Sequence, residues 1–179
     1  KSPREAIDLG IAIVPEDRKR HGAMLGISIK NNINMPIYER DSHLSVVDEK
    51  LEMSTAEKYR DSMAIKTPNL HQLIKNLSGG NQQKVILGRW MAAKSELIIF
   101  DEPTRGIDVG AKYEIYKLMN DLVEKEGKSI IMISSEMEEL MGMSDRIIVL
   151  AEGEVTGELS KEEFTQESIM TYASAAAKE

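Results

Sequence analysis

From Glu96 onward the chain alternates short apolar runs with segments of helical period, and this alternation limits the fold more than any other feature. Glu96-Leu97-Ile98-Ile99-Phe100, Lys128 to Ile133 and Arg146 to Leu150 are apolar runs of strand length. Between the first two, Ala111, Ile115, Leu118 and Leu122 recur at helical spacing, and a shorter helix is expected from Met137 to Met141. Strands alternating with helices predict an α/β fold, mainly a parallel sheet flanked by helices.

Upstream the pattern changes. Ile7 to Val14 reads as a short buried strand stopped by Pro15, and Glu16 to Gly22 as a charged loop. Ser28 to about Ile37 and Val47 to Ala64 turn helical, with Val47, Leu51, Tyr59 and Met63 near one face of the second segment. These segments predict a helical lobe, in which Met35, Met53 and Met63 read as core filler before a docking surface. Ser78 suits the N-cap of a helix running to about Ala93. Gly153 and Gly157 flank a hairpin segment, and Lys161 to Ala177 reads as terminal helices with an Ala-rich end. With 179 residues the chain can bury one core, with at most a smaller satellite.

Charge narrows the partners. Lys and Arg number 23 against 30 Asp and Glu, a net charge of -7, so no basic field exists to displace counterions from nucleic acid. There are no cysteines, which excludes disulfides and thiolate metal sites. No apolar run approaches the ~20 residues that span a bilayer, so a membrane link is expected to run through a partner. His21, His43 and His71 lack metal-ligand spacing and read as loop or surface histidines.

Two segments carry chemistry. Ser78-Gly79-Gly80 at a helix entry leaves backbone N–H groups and the positive end of the helix dipole free for an anion. The same residues also read as a plain N-cap with a flexible entry. About twenty residues on, the strand through Phe100 ends in Asp101-Glu102, and ligands of parallel sheets gather at the carboxyl ends of strands. Asp101 there suits magnesium and Glu102 an attacking water. The alternative is a carboxylate pair that only solvates the strand end.

Leu77-Ser78-Gly79-Gly80-Asn81-Gln82-Gln83, followed at this distance by Ile98-Ile99-Phe100-Asp101-Glu102-Pro103-Thr104, resembles the ABC-type ATPase family. The stretch from Asp101 to Lys112 resembles the second ATP-binding module of monosaccharide importers of the ribose, galactose and xylose kind, and the segments Leu25 to Lys30 and Gly157 to Glu167 are slightly closer to the ribose type. The resemblance implies an incomplete P-loop NTPase-like domain: a helical signature subdomain at about 28–93, with 1–27 and 94–179 in the α/β core. It implies a cytoplasmic, membrane-peripheral protein that uses ATP and Mg2+ to power sugar uptake. Its implied partners are an N-terminal ATP-binding module of the same protein, the membrane permease subunits, which would meet the lobe from Ser28 to Gln72, and, indirectly, a periplasmic or extracellular sugar-binding protein.

Family modules pair head to tail, so Ser78, Gly79, Gly80 and Gln82 are expected to serve a nucleotide held by the opposite module. Asp108 matches the loop that crosses that interface, although a carboxylate there also reads as a helix N-cap. By the same match Glu102 is catalytic and Asp101 the magnesium ligand. Two positions depart from the family pattern. Ser135 stands where a histidine is usual and cannot shuttle a proton as imidazole does. Glu16 stands at the position of the glutamine that contacts magnesium, or is simply a solvated loop charge.

The P-loop pattern Gly-x-x-x-x-Gly-Lys-Ser/Thr is not met. Gly127-Lys128-Ser129 has Leu122 in place of the first glycine and lies between a helix and a strand in the wrong order. The chain is therefore expected to begin downstream of the P-loop and, alone, to be inactive. Two other classes compete: a nonhydrolytic regulatory or structural module, favoured by Ser135 and Glu16, and a DNA-repair ABC ATPase, disfavoured by the acidic charge.

Overall fold

Ser2 accepts a hydrogen bond from the Glu5 amide at 3.3 Å and Pro3 takes the first helical position, so the chain opens with helix α1 (Pro3–Asp8). This corrects the expected strand from Ile7. Gly10, at φ +75°, turns the chain into strand β1 (Ile11–Val14), where only the second half of the apolar run is extended. The computed structural model describes residues 2–43 and 46–174. The chain divides into two units, one ending at Ile133 and one beginning at Ser134.

In the first unit, Ser28 caps α2 (Ile29–Asn34), accepting from the Asn31 amide at 3.1 Å. A 3-10 turn at Met35–Ile37 leads to α3 (Tyr38–Asp41). Two short strands, β2 (Ser42–His43) and β3 (Val46–Val47), pair antiparallel before α4 (Glu49–Ser62), which Asp48 caps through the Lys50 and Leu51 amides. Val47 therefore lies in a strand, not on the helix. The expected helix face is also shifted: Leu51 is 44% exposed, while Glu52, Ala56 and Met63 are buried. Glu52 tolerates burial because Lys30 Nζ reaches it at 2.5 Å and the Tyr38 hydroxyl donates to it at 2.7 Å. Burial, and then the carboxylate, push the Tyr38 phenol well above its ordinary value.

Helix α5 (Gly79–Ala92) is the hub of this unit, touching α2, α4, β1 and α6 (Val109–Glu124). Its Arg89 is 6% exposed, yet the guanidinium is met on every edge: Nε donates to Asn32 O at 2.8 Å, Nη1 to Gly22 O at 2.5 Å and Nη2 to Asn32 Oδ1 at 2.6 Å. Burial lowers its pKa to about 10, which leaves it charged at neutral pH. Trp90 of the same helix donates its indole N–H to Ile13 O of β1 at 2.7 Å.

Strands β1, β4 (Leu97–Asp101) and β5 (Ser129–Ile133) form a parallel sheet in that order, with Val14 beside Phe100 and Asp101 beside Ile133. Ala12, Val14, Ile98 and Phe100 are buried on one face. The other carries Ile13, Ile131 and Ile133, each about half exposed. Gly127, at φ +65°, ends the α6 segment and feeds β5, so Gly127-Lys128-Ser129 has the helix-to-strand order expected, and Lys128 is ion-paired to Glu96 at 2.9 Å.

In the second unit, α7 (Met137–Met143) precedes β6 (Arg146–Ala151), which pairs antiparallel with β7 (Glu154–Ser160). The run at Arg146 to Leu150 therefore builds its own hairpin sheet, a correction to its expected place in the parallel sheet. Glu152 and Gly153, both at positive φ, make the two-residue turn that such a hairpin needs. Ile147, Val149 and Leu159 pack with Ile169 of α8 (Gln166–Ala173), joined by Phe164 and Tyr172. The end of the expected terminal helix, Ala175 to Ala177, lies outside the described residues. No helix among the described residues is long and apolar enough to cross a membrane.

Two substitutions test this packing. A Cβ at Gly157 would sit 2.3 Å from the Tyr172 ring, so Gly157→Ala is expected to destabilise the second unit by about 1–3 kcal/mol, read from the urea midpoint. Arg89→Met keeps bulk but strips donors from Gly22 O and Asn32, and is expected to cost about 3 kcal/mol in the same measurement.

Candidate functional site

Because Val14 and Phe100 are register neighbours, the loops leaving β1 and β4 emerge side by side at the carboxyl end of the sheet. Glu16 and Arg105 form an ion pair between these loops. Arg18 adds to it, donating from Nη1 to Arg105 O at 3.2 Å and from Nη2 to Gly106 O at 3.4 Å. Asp17 caps the intervening π-helical turn, Arg18–Gly22, through the Lys19 and Arg20 amides, both at 3.1 Å.

The start of α5 is drawn into the same place. A Cβ on Gly79 would lie 2.4 Å from Arg18 Nη2, so the glycine is what lets the guanidinium lie against the helix entry. A Cβ on Gly80 would lie 3.1 Å from the Ala111 Cβ, so the first turns of α5 and α6 touch. Ser78 caps α5 and Asp108 caps α6, the latter accepting from the Ala111 amide at 3.0 Å. An open cleft of about 350 Å³ lies between the two helix starts, lined by Lys66, Ser78, Gly80, Asn81, Asp108 and Glu114 among others.

Hydrogen bonding sets what the cleft offers. Ser78 Oγ accepts from Asn81 Nδ2 at 3.0 Å and from the Asn81 amide at 3.5 Å, so its own proton is available to an outside acceptor. Asn81 Oδ1 in turn accepts the Lys66 amide at 2.8 Å. Glu114 receives Lys84 Nζ at 2.6 Å and Lys66 Nζ at 3.0 Å. These hydrogen bonds, from Lys84 first and then Lys66, hold its carboxyl below the ordinary carboxylate range.

Of the residues singled out in the sequence, Ser78, Gly79, Gly80 and Asp108 are brought together here. Gln82 turns away: it is buried, with Nε2 donating to Ile74 O at 3.3 Å and Leu77 O at 3.2 Å. Asn81 occupies the cleft instead. Helical phase was the signal that could have found it, since Asn81 stands three residues after the capping Ser78. Lys66 carried no such signal, because a loop fold brings it in from 12 residues upstream of Ser78.

Asp101 ends β4, and Glu102 follows at φ +47° with its amide donating to Ile133 O at 2.9 Å. A non-glycine residue at positive φ is a costly conformation that surrounding structure must impose. Glu16 is engaged by Arg105. Ser135 is exposed and belongs to the second unit, where its neighbour Ser134 is hydrogen-bonded to Glu139. Among the described residues no group of three or more His, Cys, Asp or Glu is placed to hold a metal.

Glu114 gives the cleft a pH signature. Its folded pKa is lowered, so its stabilising contribution is complete above the ordinary carboxylate value and is lost as pH falls through the lowered one. Expected thermal melts place Glu114→Gln below the wild type at neutral pH, with the two curves converging in acid; a constant gap down to acid would contradict the assignment.

Comparison with known proteins identifies the family. A family model described as ABC transporter matches residues 3–105, more than half of the chain. A ribose import ATP-binding protein of Clostridium tetani is 49% identical over 173 residues, covering 96% of this chain and 34% of the relative. A xylose import ATP-binding protein of Thermoanaerobacter pseudethanolicus is 50% identical over 172 residues, with 96% and 34% covered. The chain thus spans about a third of the length of these curated relatives. The fold matches the ATP-binding cassette MJ0796 in a dimeric post-hydrolysis state bound to ADP and Pi, with a TM-score of 0.71 at 22% identity over 86% of this chain and 64% of that one. With more than half of its length matched by the family model, this chain belongs to the ABC transporter family.

Proposed function

We propose that this chain is an ATP-binding part of a sugar importer, lending Ser78, Gly79 and Gly80 to ATP held on another module of the assembly. The observation that carries the reading is the cleft where the α5 entry meets Asp108, with the Ser78 proton left for an outside acceptor. The names of the relatives supply the sugar. The opposite module would be an N-terminal ATP-binding module of the same protein, and Asp108 would face it. The helical segments between 28 and 93 would form the subdomain that meets the permease subunits at the cytoplasmic face of the membrane, with a separate sugar-binding protein acting indirectly. Residues 1–27 and 94–179 would belong to the α/β core.

Magnesium fits Asp101 and Glu102 in one respect: this ion is commonly held by one or two carboxylates, with phosphates and water completing its shell. Asp101 would be its ligand, and the ion would draw charge off the transferred phosphoryl group. Glu102, on its strained backbone, would orient a water. Gln82, tied to Ile74 O and Leu77 O, would support the helix entry from behind.

A second reading, that this module completes its partner's site without hydrolysing ATP at its own, is favoured by the Glu16–Arg105 ion pair and by Ser135. In the intact transporter, Ser78→Ala is expected to cut ATP turnover about tenfold or more. On the second reading, Glu102→Gln is expected to leave most transport in place. Unchanged turnover in Ser78→Ala would remove the signature role, and loss of transport in Glu102→Gln would assign hydrolysis to this module and remove the second reading.

A further inference from the structure

Lys66 is the cleft residue that neither the sequence pattern nor the proposed signature role accounts for. Its backbone is fixed by the amide bond to Asn81 Oδ1 at 2.8 Å, while its side chain is 74% exposed and rests on Glu114 at 3.0 Å. Glu114 does not depend on it alone. Lys84, only 4% exposed, already meets the same carboxylate at 2.6 Å and adds a bond to Ala64 O at 3.3 Å. The group therefore holds two ammonium charges against one carboxylate, with the surplus on the exposed partner. Moving Lys66 off Glu114 leaves Glu114 paired with Lys84 and breaks only a solvent-exposed ion pair, a weak interaction because water screens it.

The exposed ammonium lines the same cleft as a hydroxyl that has only its proton left to give, at the N-terminal turn of a 14-residue helix. Asp108 lines the cleft as a second carboxylate, its Oδ1 fixed by the Ala111 amide, so what the cleft offers an anion is the mobility of the Lys66 ammonium and not a net positive charge. An ammonium that can leave its carboxylate at little cost, anchored through the residue that orients Ser78, is suited to meet a polyanion arriving at Ser78.

We propose that Lys66 is a further nucleotide-binding residue of this site: on arrival of ATP its ammonium swings from Glu114 to the triphosphate engaged by Ser78. The proposal rests on the reading of this cleft as a nucleotide site. Binding involves no covalent step, and Glu114 remains ionised with Lys84.

Mg-ATP titration of the intact transporter tests it in wild type, Lys66→Met, Lys66→Arg and Ser78→Ala, with melts to confirm folding. Lys66→Met is expected to raise the half-saturating ATP about tenfold and to flatten the dependence of affinity on salt. Lys66→Arg, which keeps the charge, is expected to restore both. If Lys66→Met binds as wild type while Ser78→Ala is weakened, the role of Lys66 is overturned and the cleft reading stands. If arginine fails to rescue, Lys66 is merely structural and the proposal falls. If Ser78→Ala itself binds as wild type, the cleft reading fails, and Lys66 falls with it.

Discussion

The first unit is organised around a charge it has to bury. Arg89 lies deep against α2 and the Gly22 turn, where desolvation disfavours its charged form and only a full set of oxygen acceptors makes the position tolerable. Asn32 supplies two of them and is itself tied to Met24 and Ser28, so its side chain has no freedom to yield. A hydrophobic side chain at 89 could slide along α2; a planar fork with fixed partners cannot. That rigidity sets the axial position of α5, and with it the place where Ser78 and Gly79 meet the loops leaving the sheet.

Much of this architecture was legible in the sequence, because its signals were local. β4, β5 and β6 are short apolar runs bounded by polar residues, and Ser78 stands where an N-cap must. The departures have both local and tertiary causes. Ile7 looked like strand because apolar character alone cannot tell a helix from a strand, and Ser2-Pro3 decided the matter. The α4 stripe was displaced because Glu52 is buried by partners, Lys30 and Tyr38, that stand well upstream. The alternation that predicted a parallel sheet holds through β5 but not for β6, whose neighbour is set by the tight turn at Glu152-Gly153.

The site shows the same division. Ser78, Gly79, Gly80 and Asp108 could be picked out because each does a local job at a helix start. Gln82 does not reach its expected place because α5 rotates about 100° per residue, so Gln82 faces the core while its neighbour Asn81 faces the cleft. Glu16 illustrates a further limit: its position could be matched, but not its engagement with Arg105, a residue on another loop.

Trp90 is the chain's one tryptophan, and its indole N–H is bonded to the β1 backbone one helical residue after Arg89. Indole emission is sensitive to hydrogen bonding and to water at this group. The protein thus carries an intrinsic optical gauge at the seam between α5 and the sheet. Any event that shifts the helix bearing Ser78 relative to β1 alters the surroundings of that single fluorophore, without an added label.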